Sequence, residues 1–109
     1  MELMSVYSPH DVFEHTPGTR VRRVPEMGQI LIYTPHRPAL HRFNRAAWLV
    51  FELADGRPFA GIVAEGHAVL GGSPDEVERK VTVTLRALEK RGILRLAAPR
   101  TGEVVDTQR

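Results

Sequence analysis

"HRFNRAAWLVFELADG" spans residues 41–56, and its reading decides the fold. It holds the chain's only tryptophan, and six of the seven residues after Asn44 are apolar. Asn44 suits an N-cap, because its side-chain oxygen can accept from an amide of the first helical turn. Phe43 before it and Trp48 four positions after it are placed for a hydrophobic staple, which fixes the angle at which the chain enters the helix. Asp55-Gly56 ends the helix. Ala46, Ala47, Trp48, Leu49, Val50, Phe51 and Leu53 run round nearly the whole circumference and leave Arg45 and Glu52 as polar outlets. The expectation is a central helix, walled by a sheet on one side and by helices on the other. Truncating Trp48 or Phe51 is expected to cost about 3–5 kcal/mol.

Upstream of this helix the chain reads as short strands. VRRV (21–24) is β-branched, PEMG (25–28) has turn chemistry, and QILIYT (29–34) has the propensities of a strand. PHRP (35–38) makes a second turn, since neither Pro35 nor Pro38 can donate to a ladder. ALHRF (39–43) follows as a third strand, with Ala39, His41 and Phe43 on one face and Leu40 and Arg42 on the other. The proline before it marks an edge strand. Residues 1–18 show no sustained period and read as an arm or irregular entry segment.

Downstream, Pro58 opens a second helix whose expected buried positions are Phe59, Ile62, Val63, Val69 and Leu70. Gly61 and Gly66 weaken it, and Gly71-Gly72 breaks the chain. Ser73-Pro74-Asp75-Glu76 is a capping box with proline at the first helical position, so a third helix runs from there to Arg91 and stops at Gly92. Val77, Val81, Thr84, Leu85 and Leu88 form its core stripe at about 100° per residue. Lys80, Val83, Ala87 and Arg91 flank the stripe on one side, and Glu78, Thr82 and Glu89 on the other. ILRLA (93–97) reads as a short strand, and residues 97–109 as a polar tail. The whole is an α+β domain over residues 19–96. It is a winged helix-turn-helix with an N-terminal three-stranded antiparallel β-meander packed on three helices.

Composition narrows the chemistry. With 109 residues, 42% hydrophobic and 26% charged, the chain is one globular domain with a single modest core. The absence of cysteine removes disulfides, thiolate nucleophiles and most structural zinc sites. The N-terminus lacks the basic flank and apolar heart of a signal peptide, and no apolar run is long enough to span a bilayer, which reads as a soluble cytoplasmic protein without membrane contact. His10/His15 and His36/His41 are each five residues apart, off any helix face that would converge them, so no metal site is expected. Ser73 is spent on capping, and Gly71-Gly72 lacks the lysine and spacing of a phosphate loop. No catalytic residue and no cofactor are expected.

A helix-turn-helix invites a DNA-binding reading, that of a small winged-helix regulator. The docking end of its recognition helix would carry Asp75, Glu76 and Glu78, which repel phosphates, with only Arg79 and Lys80 to compensate. That argues against nucleic acid, although Arg20, Arg22 and Arg23 could touch a backbone.

Two strings, "LHRFNRAAWLVFELADGRPFAGIVAE" (40–65) and "DEVERKVTVTLRALEKRGIL" (75–94), resemble the PqqD-like family, the RiPP recognition elements that bind the leader segment of ribosomally made precursor peptides. The likeness consists of an apolar-Asn helix start, a buried helix, Asp-Gly, a helix with an Ile-Val pair, and a third helix ending in Leu, a basic residue, Gly and two aliphatics. Phe43 stands where the family usually has Leu, and the glycines at 66, 71 and 72 replace a more regular helix.

The resemblance implies a non-catalytic protein that adds a leader peptide as a strand beside Ala39, Leu40, His41, Arg42 and Phe43, in the cleft between that strand and the third helix. The free edge supplies backbone hydrogen bonds and the cleft selects side chains. Lys80, Val83, Thr84, Ala87 and Arg91 are taken as the helix wall, with hydrophobic leader side chains against the middle and acidic ones at Lys80 and Arg91. The implied partners are the precursor peptide and a separate modifying enzyme, such as a radical SAM maturase, a cyclodehydratase or a leader peptidase. The same free edge could instead pair with its own copy in a homodimer.

Overall fold

The structure, a computed structural model, describes residues 7–97. Five strands, β1 (Phe13–His15), β2 (Arg20–Val24), β3 (Gln29–Tyr33), β4 (Leu40–Phe43) and β5 (Leu94–Leu96), combine with three helices, α1 (Arg45–Leu53), α2 (Phe59–Leu70) and α3 (Pro74–Lys90). β2, β3 and β4 form an antiparallel meander in that order, and β1 pairs with β5 in a separate two-stranded sheet. A 3-10 turn over Pro25–Met27 joins β2 to β3 and closes on Gly28, whose φ of 61° is a conformation that glycine adopts without strain.

Each helix starts where its cap dictates. Asn44 accepts from the Ala47 amide at 3.0 Å. Ser73 and Glu76 complete the reciprocal capping box at the start of α3. The core lies where the inner face of the meander meets the helices: Ile30 and Ile32 from β3, Phe51 from α1, Ile62 from α2, and Val77, Val81, Leu85 and Leu88 from α3 are all buried. Gly66 lets α2 approach α3 closely, since a Cβ there would already touch Val81 and Val77 at 3.5 and 3.6 Å.

The α+β architecture read from the sequence holds, with three differences. The first concerns the N-terminal segment. Residues 13–15, read as part of an irregular arm, are a strand bonded to β5, with Phe13 opposite Leu96 and His15 opposite Leu94. Phe13 is fully buried and Tyr7 nearly so. Tyr7 meets the Phe13 ring edge-on at 4.9 Å and the Phe59 ring at 5.5 Å. A three-residue strand is too short to show alternation, and its partner lies about eighty positions away, so no local pattern betrays it.

The second difference is that α1 is not enclosed all round. Val50 and Phe51 are its buried residues, while Ala46 is exposed and Ala47, Trp48 and Leu49 are half-buried. The helices cover one side of α1 and the sheet another, leaving the side near its N-terminus open. The third difference is at the end of α2, where Val69 and Leu70 are exposed rather than buried. The polar tail expected over residues 97–109 lies outside the described residues beyond Ala97.

Candidate peptide-binding site

β4 hydrogen-bonds to β3 on one side and has no strand on the other among the described residues. Thr34 and Ala39 stand opposite each other, and the Thr34 amide donates to the Ala39 carbonyl at 3.0 Å. That bond sets the phase of the ladder. Hydrogen-bonded pairs recur every second residue in an antiparallel pair, so Ala39, His41 and Phe43 direct their main-chain groups toward β3. Leu40 and Arg42 direct theirs to the open side.

The side chains divide the other way. His41 and Phe43 stand opposite the buried Ile32 and Ile30 and share the inner face with them, whereas Leu40 and Arg42 stand beside Tyr33 and Leu31 on the outer face. Ala39 and His41 line a depression of about 480 Å³ together with Arg37, Pro38, Lys90 and Arg91. The Arg91 guanidinium lies over the Phe43 ring, 5.6 Å from its centroid, and so bridges α3 and β4.

A second hollow, of about 390 Å³, lies toward the N-terminal half of α3. Lys80, Val83 and Thr84 line it, opposite Asn44, Ala46, Ala47 and Val50 at the start of α1, with Leu70 at its end. Ala87 sits one turn beyond Val83 on α3, between the two hollows. Val83 and Leu70 are exposed there, at 63% and 40% of their surface, although both are apolar. Of the ten residues named from the sequence, Ala39, His41 and Arg91 line the first hollow and Lys80, Val83 and Thr84 the second, while Phe43 lies beneath Arg91. Leu40 and Arg42 reach the groove between β4 and α3 only through their backbones.

The groove also contains residues that sequence reasoning missed. The sequence reads Ala46 and Ala47 wholly as core, Leu70 as part of the buried face of α2, and Arg37 as a turn residue. The one available signal was the excess of apolar residues on α1, more than a single core face uses.

The opposite flank of α3 is covered. Glu89 accepts a hydrogen bond from the Tyr7 hydroxyl. Burial, this bond and the Glu89 charge push the Tyr7 phenol well above its usual range.

The hairpin between β3 and β4 is fastened to the end of α3. Arg37 donates to the Lys90 carbonyl at 2.7 Å, and a ring nitrogen of His36 lies 3.1 Å from the Gly92 carbonyl oxygen. Gly92 has φ of 77°, and a Cβ there would stand 2.9 Å from the His36 ring and 3.2 Å from the Arg37 guanidinium. Gly92→Ala therefore strains the backbone and pushes both latching side chains aside. The expected loss is about 1–3 kcal/mol in chemical denaturation, accompanied by a shift of the His36 ring signals in NMR spectra. Unchanged stability would show that the latch contributes nothing.

Electrostatically, the hairpin end of the groove is positive. Arg37, Lys90 and Arg91 converge there without a carboxylate among the lining residues. Burial and then the Arg91 and Arg37 charges hold His41 below its usual value, so at neutral pH its imidazole is uncharged. Its Nε2 lies 3.3 Å from the hydroxyl of the buried Thr34. Away from the groove, Arg23 is engaged by Glu52 through Nε at 2.6 Å and Nη2 at 3.1 Å, and Glu52 also accepts from the Trp48 indole at 2.9 Å. Those bonds hold the Glu52 carboxyl below the usual range. Arg23, named as a possible phosphate contact, is thereby occupied on the inner face, while Arg20 and Arg22 alternate with it on the outer face.

Among the described residues no cluster of three or more His, Cys, Asp or Glu side chains could hold a metal ion, and no helix is long and apolar enough to cross a membrane. No family model and no curated protein matches the chain. Solved structures do. TbiB1 in complex with the TbiA(beta) leader peptide aligns with 79% of this chain and 99% of its own, at 16% identity and a TM-score of 0.69. The PqqD truncation of Methylobacterium extorquens PqqCD, whose solution NMR structure represents a functional, stand-alone RiPP recognition element, aligns with 84% of this chain and 96% of its own, at 22% identity and a TM-score of 0.65. The meander, the three helices and the extent of both alignments agree on one conclusion: the chain has the winged-helix fold of the RiPP recognition elements.

Proposed function

We propose that this chain is a PqqD-like RiPP recognition element, a non-catalytic protein of the cytoplasm that binds the leader segment of a ribosomally made precursor and presents it to a separate modifying enzyme. One observation carries the reading: the edge of β4, unpaired among the described residues, borders a groove walled by α3, with the main-chain groups of Leu40 and Arg42 turned outward. An extended peptide entering there extends the sheet by one strand and lays alternate side chains in the groove. Lys80, Val83, Thr84, Ala87 and Arg91 form the helix wall it meets. The fold shared with a leader-bound protein supports this use of the edge. A radical SAM maturase, a cyclodehydratase or a leader peptidase would each suit as the enzyme served.

Proline substitution tests strand addition directly. Arg42→Pro removes an amide hydrogen that β3 does not use, so the domain stays folded, as edge strands tolerate proline when that N–H faces outward. Peptides selected from a displayed random dodecapeptide library on the wild-type protein should lose about tenfold or more in affinity for Arg42→Pro, through the lost backbone bond and the intruding ring. They should lose much less for Arg42→Ala, which keeps the amide. Equal binding by both variants would overturn strand addition. A dimer in sedimentation that such peptides cannot dissociate, or binding to duplex DNA alone with steep salt dependence, would overturn the function itself.

A further inference from the structure

The groove is chemically polarised along its length, and this polarity specifies its ligand more narrowly than strand addition alone. At the α1 end the lining is mostly apolar, with Ala46, Ala47, Val50, Leu70, Val81 and Val83 beside Asn44, Thr84, Arg79 and Lys80. At the hairpin end it includes Arg37, His41, Lys90 and Arg91. The first end offers an apolar side chain a place out of water, and the second offers a carboxylate three cations, two of them guanidiniums held by contacts within the chain and suited to bidentate contact. These cations stand against no carboxylate of this chain among the lining residues, so they are ready for one brought by a ligand. Burial first, and then the Arg91 and Arg37 charges, lower the basicity of His41 beside them.

The separation of the two hollows fixes a spacing. From Val81 to Lys90 along α3, at 1.5 Å per residue, is about 14 Å, which an extended chain covers in about four residues at 3.3 Å each. Only alternate residues of an added strand face the groove, so the spacing is even. The meander is antiparallel throughout, and antiparallel pairing is slightly the more stable, so an added strand runs from the Phe43 end toward the Leu40 end. It meets the apolar hollow first.

Resting on the leader-binding reading above, we infer that the groove selects an extended acidic peptide in which a hydrophobic residue is followed, four positions later, by Asp or Glu seated between Arg37 and Arg91. Arg37 then has two duties, since the guanidinium that latches the hairpin to the Lys90 carbonyl also faces the incoming carboxylate. A peptide with the acidic and hydrophobic residues reversed would set its hydrophobic side chain among Arg37, Lys90 and Arg91 instead of Val50, Leu70 and Val83, which leaves apolar surface uncovered and costs affinity.

The test is the same displayed dodecapeptide library, selected on the full chain and read by sequencing, followed by titration of one enriched peptide. The expected result is enrichment of a hydrophobic residue with Asp or Glu four positions toward the C-terminus. Changing that acid to its amide should weaken binding about tenfold. Arg91→Glu should weaken binding of the acidic peptide similarly and recover it for a peptide carrying Lys at the same place, with the melting temperature of the variant checked against wild type. Should Arg91→Glu fail to fold, Arg37→Glu provides the same exchange. Peptides that bind without an acid at this spacing, or with the acid at the apolar end, overturn the inference and leave leader binding intact. If no peptide is enriched, the leader-binding reading falls and this inference falls with it.

Discussion

A chain shortened to begin at Thr19 is expected to lose the fold outright. The segment removed contains Phe13, fully buried, and Tyr7, nearly so, as well as the strand that pairs with β5. Removing a buried phenylalanine side chain alone costs about 3–5 kcal/mol. With Tyr7 and the β1–β5 hydrogen bonds added, the loss exceeds about 5 kcal/mol, the lower bound of a typical domain's entire stability. Circular dichroism melts check this: the shortened chain should show no cooperative transition, and Phe13→Ala in the full chain should melt far below wild type. A shortened chain that melts within a few degrees of the full one would mean that residues 7–18 are a detachable arm after all.

The second large effect separates the two aromatics of α1. Phe51 is 1% exposed and stacks on the His15 ring at 3.9 Å with the planes 6° apart, so Phe51→Ala should cost about 3–5 kcal/mol. Trp48 is only half-buried, packs against the edge of the core and ties its indole to Glu52 on the surface. Trp48→Ala should therefore cost less, about 1–3 kcal/mol, because part of its surface is already wet and the cavity left behind opens to solvent. The sequence alone makes the two equal. Urea denaturation of the pair decides, and equal losses would show that Trp48 is as central as its apolar surroundings suggest.

The excess of apolar residues on α1 explains much of what was legible and what was not. Asn44, the Ser73 capping box and the core stripe of α3 are local devices whose chemistry requires no distant partner, and they stand where the sequence puts them, except that Thr84 of the stripe is half-buried and lines the second hollow. Ala46, Ala47 and Leu70 are apolar for a different reason from Phe51, since they face an open groove. Residue type cannot separate a wall built to meet another side chain of the same chain from one left vacant. Arg37 was similarly opaque. As a residue of a proline-rich turn it resembles any solvated arginine, and its place beside Lys90 and Arg91 arises only when the hairpin folds onto the end of α3. Val69 and Leu70 continue the helical period of α2, so periodicity extends the buried face beyond the point where α3 stops covering it.

What the sequence determined by itself is therefore the three helices and the strands of the meander, with their starts, stops and turns, because capping, proline geometry and hydrophobic period act within a few residues. The tertiary structure decided which surfaces remain open. It joined β1 to β5 from opposite ends of the described chain, left β4 without a second neighbour among the described residues, and drew Arg37, Lys90 and Arg91 into one positive end of a groove. Such pairings depend on how layers meet rather than on any local run of residues, so they are settled only when the whole core packs.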